Sequence, residues 1–197
     1  MANKPYQGFE PKWVKEPAPK DSWRSIFRWG DPDFVKYPKE SLYKLIKSTF
    51  HMTDEDFSHY DGDIGMEKVV LNAPCHLEEK HLEALRRIVG DDYVTTEDYP
   101  RLAVAYGKTG FDTLRLRQHT VDSLPDAVVY PDTTKQVEEI VAYCCANKIP
   151  LYVYGGGSSV TMGVEPTKGG ISLDMRKRFN KVLDFNEVDQ TITVQAG

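Results

Sequence analysis

The residues best suited to chemistry in this 197-residue chain form a short loop of three glycines and two serines, Gly155 to Ser159. The loop follows an apolar run, Leu151 to Tyr154, that predicts a β-strand. Successive glycines are typical of places where the backbone needs a positive φ or where another group approaches the main chain closely. Backbone N–H groups in such a turn form a concave site for phosphate oxygens, and Ser158 and Ser159 add hydroxyl donors. We therefore expect a pyrophosphate-binding loop.

Three common glycine motifs do not fit this loop. The dinucleotide fingerprint needs a third glycine and an immediate helix, and a nucleophile elbow also needs a glycine at the same place, but that position is Val160. A P-loop needs Gly-Lys followed by Ser or Thr at its end, and the loop lacks this ending. A tight chain crossing that binds no ligand stays an open alternative for the five residues considered alone.

A strand, a helix and further strands are expected around the loop. Ala127 to Tyr130 is a short apolar strand between two prolines. Thr133 and Gln136 form a capping box that opens a helix ending near Asn147, because Pro150 prevents its continuation. Three more strands are predicted after the loop, at Gly170 to Asp174, Lys181 to Phe185 and Thr191 to Gln195. The sequence from residue 124 onward therefore predicts a βαβ unit followed by a β meander.

The preceding part of the chain is mainly helical by pattern. Apolar residues at helical spacing predict helices from Glu40 to Phe50 and from Leu77 to Val89. The run Thr95 to Asp98 reads as a capping box that opens a third helix through Tyr106. Phe111 to Thr120 contains an alternation compatible with an edge strand or an extended connection.

The first 39 residues have a different character, because they are rich in proline and aromatic residues. Trp23, Phe27 and Trp29 lie close enough together to dock as an apolar face. We therefore divide the chain into an aromatic and proline-rich arm (1–39), a mainly helical region (40–123) and an α/β region (124–197). The expected fold class is α+β.

The composition argues against several classes of partner. With 25 Lys and Arg against 30 Asp and Glu, the net charge of −5 leaves no broad basic surface for nucleic acid. The run Arg176-Lys177-Arg178 is interpreted as a solvated turn. No apolar run is long enough to span a bilayer and the start lacks a secretory signal, so we expect a cytoplasmic protein. Peripheral membrane association and a homodimer stay open.

The cysteines and histidines do not suggest a metal site or disulfides. Cys75, Cys144 and Cys145 cannot all pair, and they fit reduced thiols in a reducing compartment. The five histidines are isolated from one another, and the chain has no CxxC or HxxxH pair. We therefore expect no bound metal.

Three segments in an ordered succession resemble a known family. They are 149–160, Ile-Pro-Leu-Tyr-Val-Tyr-Gly-Gly-Gly-Ser-Ser-Val; 171–175, Ile-Ser-Leu-Asp-Met; and 191–197, Thr-Ile-Thr-Val-Gln-Ala-Gly. The succession is similar to the first half of the FAD-binding domain of the vanillyl-alcohol oxidase and p-cresol methylhydroxylase (PCMH) superfamily, and it covers roughly the last third of the chain. The resemblance implies FAD as the cofactor.

A narrower resemblance, to the alkyldihydroxyacetonephosphate synthases, extends upstream. It rests on 101–107, on Leu116-Arg117, on 124–131 and on Trp29-Gly30. It implies an enzyme that exchanges an acyl chain for a fatty alcohol on dihydroxyacetone phosphate, in ether lipid synthesis, and hence a small-molecule or lipid-like substrate. FAD-linked oxidases of 2-hydroxy acids such as D-lactate or glycolate are the alternative within the superfamily. A non-catalytic interaction module is a second alternative.

The resemblance also implies roles for the loop residues. Gly155, Gly156, Gly157, Ser158 and Ser159 would hold the FAD pyrophosphate, and Val153 and Tyr154 would position the loop. Relatives that bond flavin covalently through this loop place a histidine at about the third glycine, so Gly157 implies non-covalent FAD.

The catalytic residues are unknown from this sequence. In the family, the second half of the FAD domain and a substrate domain would follow Gly197, so catalytic side chains are expected there. The 197 residues are then expected to be an N-terminal portion that is inactive by itself, with a natural remnant that has another role as the open alternative. A contact from Arg117 to an anionic substrate is conceivable, although a structural ion pair is the commoner fate of such an arginine.

Overall fold

The computed structural model describes residues 18–26, 40–58 and 65–197 of the chain. The chain divides into two compact units, with the division between Lys68 and Val69. The boundary predicted near Ser123 marks a change of sequence pattern, and it stays a prediction.

The first unit contributes three helices to the described residues: α1 (Trp23–Ile26), α2 (Glu40–Phe50) and α3 (Asp54–Ser58). The helix predicted from apolar spacing at 40–50 is confirmed with the same bounds. Trp23 of the predicted aromatic face is buried, and its backbone N–H donates to the Glu67 carbonyl oxygen. Phe27 and Trp29 lie outside the described residues.

The second unit contains four helices among its described residues: α4 (Glu79–Val89), α5 (Asp98–Ala103), α6 (Gly110–Arg117) and α7 (Thr134–Asn147). The predictions of α4 and α7 are confirmed. At the start of α7, the Thr133 hydroxyl accepts a hydrogen bond from the Gln136 backbone N–H (3.2 Å). The Gln136 side-chain oxygen accepts from the backbone N–H of Asp132, one residue before the expected partner.

Two local predictions were wrong. Thr95 does not cap a helix, because it forms with Val94 the short strand β1 (Val94–Thr95), and α5 begins at Asp98 without a side-chain cap. The segment after residue 110 is helical and not extended. Its helix, α6, opens with a capping box in which the Thr109 hydroxyl accepts from the Asp112 backbone N–H and the Asp112 carboxylate accepts from the Thr109 backbone N–H. The capping box therefore indicates the helix more strongly than the alternation of apolar and charged residues at 114–117 indicates a strand.

The sheet of the second unit combines β1 with three parallel strands: β2 (Ala127–Val129), β3 (Leu151–Tyr154) and β4 (Ile171–Asp174). Its order is β1-β2-β4-β3, with β1 antiparallel to β2. Helix α7 connects β2 to β3, and β4 lies between these two strands. A separate antiparallel pair consists of β5 (Val182–Asn186) and β6 (Thr191–Val194).

Helices α4 and α7 pack against the sheet and form the main core. Buried side chains from both helices meet buried residues of β2 and β4, namely Leu82, Leu85, Ile140, Cys144, Ala127, Val129, Ile171 and Leu173. Burial raises the pKa of the Cys144 thiol to about 11. Cys75, Cys144 and Cys145 form no disulfide with one another in the described ranges.

A buried arginine joins the segment before α4 to the start of β2. Arg101 is 2% exposed. Its guanidinium donates to the carbonyl oxygens of Pro125 and Ala73, both at 2.7 Å, and of Pro74 at 3.4 Å. A buried charged donor shared by three carbonyls fixes these segments together.

Two further properties of the described residues bear on function. No helix among them is both long enough and apolar enough to cross a bilayer. Over the same ranges, no three His, Cys, Asp or Glu side chains are grouped in a way that suits a metal ion.

Candidate functional site

The glycine loop begins where three parallel strands end side by side. Strands β2, β4 and β3 are in register, and their final residues are Val129, Asp174 and Tyr154. Ligands of open α/β sheets bind in the crevice outside the carboxyl ends of the strands. The predicted loop therefore lies at the edge of the sheet where a ligand is expected.

Two of the three glycines are required by the packing of the protein itself. Gly157 is buried with φ at +69°, and a Cβ at this position would overlap the Tyr154 hydroxyl. At Gly155, a Cβ would lie 2.9 Å from the Ala196 carbonyl oxygen, which is closer than real Cβ contacts. The backbone conformation and the neighbouring atoms therefore explain Gly155 and Gly157 without a ligand.

Gly156 has no such explanation within the fold. It is exposed, its φ lies outside the left-handed region, and a Cβ there would meet no atom of the described residues within 4 Å. A glycine that neither backbone geometry nor packing requires is typical of a place where another molecule approaches the main chain. Gly156 therefore favours a loop that binds a ligand over a tight chain crossing that binds none.

The backbone of the loop presents hydrogen-bond donors. None of the N–H groups of residues 155–159 donates to any residue that the structure describes. Backbone donors in folded proteins nearly always have a partner, which can be protein, water or a ligand. Ser158 is exposed and Ser159 is half-buried beside them. This donor set fits phosphate oxygens.

The two residues before the loop differ in their surroundings. The Tyr154 side chain is 2% exposed and occupies the space that a side chain at 157 would need. Burial raises the pKa of the Tyr154 phenol, which is therefore uncharged at neutral pH. Val153 is 57% exposed. The structure thus gives Tyr154 a supporting contact to the loop and leaves Val153 facing solvent.

The basic run after β4 is a turn, as the sequence suggested, with Arg176 and Lys177 exposed and Arg178 half-buried, but both arginines make specific contacts. Arg176 donates twice to the buried Asp174 carboxylate, at 3.0 and 2.7 Å. Its guanidinium carbon lies 4.5 Å from the Tyr154 ring centroid. Arg178 lies 3.5 Å over another ring, that of Tyr93, and donates to two backbone carbonyl oxygens. Arg176 therefore belongs to the glycine-loop site, and Arg178 stabilises the fold.

A lysine that the sequence reasoning missed lies next to the loop. The Lys108 backbone N–H donates to the Ser159 carbonyl oxygen at 2.7 Å. The preceding Gly107 approaches so closely that a Cβ there would overlap the same carbonyl. Burial and the charge of Arg176 lower the pKa of Lys108. The one local sequence signal was Gly107, because the contact itself joins residues far apart in the chain.

The segment that follows the glycine loop is anchored to α6 through Glu165. Glu165 is 9% exposed and accepts hydrogen bonds from Arg115 (3.2 Å) and from the Ser123 hydroxyl (2.9 Å). Arg117, which we considered for an anionic substrate, is exposed at the end of α6. Arg115 of α6 therefore forms a structural ion pair with Glu165, which follows the glycine loop.

Comparison with known proteins places this site in a family. Residues 125–197, which begin just before β2 and include the whole glycine loop, match the FAD binding domain family. FAD is the cofactor of the domain, as the sequence resemblance implied.

Similar proteins share both sequence and fold with the chain. The alkyldihydroxyacetonephosphate synthase of Trypanosoma brucei brucei is 29% identical over 173 residues, which are 83% of this chain and 26% of the relative. The mitochondrial D-lactate dehydrogenase [cytochrome] 1 of Saccharomyces cerevisiae is 30% identical over 134 residues, 64% of this chain and 22% of the relative. A solved structure of alkyldihydroxyacetonephosphate synthase matches with a TM-score of 0.58 and 26% identity, over 64% of this chain and 24% of that one.

These likenesses confirm the predicted resemblance and the α+β fold class predicted for the chain. The chain spans about a quarter of the length of these relatives. The proteins that the chain resembles are named for different reactions, one as a synthase and one as a dehydrogenase.

Proposed function

We propose that residues 155–159 hold the diphosphate of FAD through their backbone N–H groups, with the Ser158 and Ser159 hydroxyls as further donors. The observation that carries the proposal is Gly156, which is exposed and where a Cβ would meet no atom of the described residues within 4 Å. The donors beside it have no partner among the described residues. A diphosphate uses several such donors at once, and it needs close access to the main chain.

The surrounding residues support this role by fixing the shape of the loop. The Tyr154 hydroxyl lies beside Gly157, the Lys108 backbone N–H donates to the Ser159 carbonyl oxygen, and Glu165 accepts a hydrogen bond from Arg115 of α6. FAD is held without a covalent bond in this proposal, because Gly157 has no side chain and Tyr154 fills the adjacent space. When bound, FAD supplies a ring system that accepts or donates electrons, and the protein orients it.

We infer that the chain is part of an enzyme of the alkyldihydroxyacetonephosphate synthase type. Such an enzyme exchanges the acyl chain on dihydroxyacetone phosphate for a fatty alcohol. The similarity to the trypanosomal synthase covers 83% of the chain, beyond the 73 residues of the domain match at 125–197. An oxidoreductase of a 2-hydroxy acid such as D-lactate or glycolate is the second candidate. It is favoured by the 30% identity to the yeast D-lactate dehydrogenase.

Titration with flavins tests the binding proposal. We expect FAD to bind to the purified protein with quenching of flavin fluorescence, and riboflavin, which lacks phosphate, to bind at least about 100-fold more weakly because several charge-assisted hydrogen bonds are missing. Equilibrium dialysis of both flavins against the same preparation gives the two dissociation constants. Equal affinity for FAD and riboflavin would show that the loop does not bind phosphate.

A product assay separates the two enzyme classes. The protein as its natural source produces it is incubated either with acyl-dihydroxyacetone phosphate and a fatty alcohol, or with D-lactate or glycolate and a dye acceptor. We expect formation of the alkyl ether product, measured by mass spectrometry, and no reduction of the dye. Dye reduction without ether formation would replace the synthase with the oxidoreductase.

A further inference from the structure

The first arginine after β4 lies beside the start of the glycine loop. Tyr154 and Asp174 are aligned in the register of β3 and β4, and the Met175 backbone N–H donates to the Tyr154 carbonyl oxygen at 3.0 Å. Arg176 follows, and its guanidinium carbon lies 4.5 Å from the centroid of the Tyr154 ring. The hydroxyl end of that ring fills the position that a Cβ of Gly157 would take. One aromatic ring therefore contacts both the Arg176 guanidinium and the glycine loop.

Asp174 holds one edge of the Arg176 guanidinium and leaves the rest of the group available. Nε and Nη2 of the arginine donate to the two carboxylate oxygens, at 3.0 and 2.7 Å. The other terminal nitrogen, Nη1, donates to no residue that the structure describes. The Arg176 side chain is 41% exposed, whereas that of Asp174 is 7% exposed. An anion that arrives from solvent therefore meets the cation of this ion pair and not its carboxylate.

We propose that the Arg176 guanidinium binds the diphosphate of FAD together with the backbone N–H groups of residues 155–159. The inference rests on the proposed function, because it adds a charged contact to the same ligand. A guanidinium is permanently charged and its planar donors match phosphate oxygens, so it strengthens a site otherwise built from neutral donors. Asp174 and Tyr154 act as positioning residues, since they fix the orientation of the guanidinium before the ligand binds and so reduce the entropy that binding costs.

The test compares three ligands, FAD, ADP and riboflavin, by equilibrium dialysis against the unmodified protein and Arg176→Met. Methionine keeps an apolar stem over the Tyr154 ring and removes the charge, so we expect the affinities for FAD and ADP to fall about tenfold to a hundredfold. Riboflavin, which lacks phosphate, should bind the variant as it binds the unmodified protein. Arg176→Lys should recover part of the lost FAD affinity, because it keeps the positive charge.

Two further variants control for charge and for folding. Lys177→Met removes the adjacent exposed cation, whose ammonium lies 4.4 Å from the centroid of another ring, that of Tyr130, and FAD affinity should change by less than about twofold. The double variant Asp174→Asn with Arg176→Met leaves no buried carboxylate without a partner, and it should show the same loss of FAD affinity as Arg176→Met. Thermal unfolding followed by circular dichroism verifies that each variant is folded.

Three outcomes would overturn the inference and leave the loop assignment intact. Unchanged FAD affinity in the folded Arg176 variants would show that the guanidinium does not contact the ligand. An equal loss of riboflavin affinity in Arg176→Met would restrict the arginine to a structural role, and an equal loss of FAD affinity in Lys177→Met would reduce the effect to general surface charge. If the unmodified protein binds FAD no more tightly than riboflavin, both the inference and the loop assignment fail.

Discussion

Replacement of Gly156 by leucine is expected to abolish detectable FAD binding while the protein remains folded. A Cβ at this position meets no atom of the described residues within 4 Å, so we expect the fold to tolerate a side chain there. The same side chain occupies the space beside the N–H donors of residues 155–159. Loss of several charge-assisted hydrogen bonds lowers affinity by at least about 100-fold. FAD titration measures the loss, and thermal unfolding followed by circular dichroism verifies the fold.

Gly163→Leu is the matched control for Gly156→Leu. Gly163 is exposed in the same loop segment, and a Cβ there has only an ordinary contact, 3.9 Å from the Thr161 hydroxyl oxygen. It should bind FAD with nearly unchanged affinity. If Gly156→Leu retains normal FAD affinity, phosphate does not approach the main chain at Gly156 and the loop is a tight crossing.

Replacement of Arg101 by methionine is expected to reduce the free energy of unfolding by about 3 kcal/mol, because three carbonyls lose a buried charged donor. Methionine preserves much of the apolar length of the side chain. It leaves the carbonyl oxygens of Ala73, Pro74 and Pro125 without the guanidinium that now binds them. Urea denaturation followed by circular dichroism measures the change.

Arg87→Met provides the comparison on an exposed surface. Arg87 is exposed on α4, where its guanidinium donates to the Glu83 carbonyl oxygen of the preceding turn. Its replacement should change the free energy of unfolding by no more than about 0.5 kcal/mol. A loss below about 1 kcal/mol for Arg101→Met would mean that water can replace the arginine at those carbonyls.

Local patterns were sufficient for elements whose signals lie within a few residues. Helix α7 has a capping threonine, an apolar stripe and a proline beyond its end, and the structure confirms its predicted bounds closely. Helix α6 was missed although Thr109 and Asp112 stand at capping-box spacing, because the alternation Leu114 to Arg117 was given more weight. The capping-box spacing was therefore a correct sequence signal for α6, and the interpretation relied instead on the less specific alternation.

Contacts between distant segments could not be predicted in this way. The insertion of β4 between β2 and β3 depends on how the chain returns after the glycine loop, and no local periodicity encodes that order. The same limitation hid Lys108 and the buried Arg101, since their partners are distant in sequence. The loop itself was identifiable because its glycines and serines are consecutive.

Gly156 has a consequence for the unfolded protein. Its exposed position and its φ outside the left-handed region would admit an alanine without a clash. Glycine gives the unfolded chain extra conformational freedom, which destabilises the native state by about 0.4–1 kcal/mol relative to alanine at a compatible site. The native protein is therefore less stable than the same fold would be with alanine at position 156. On the proposed assignment, this loss of stability keeps the main chain accessible to the cofactor.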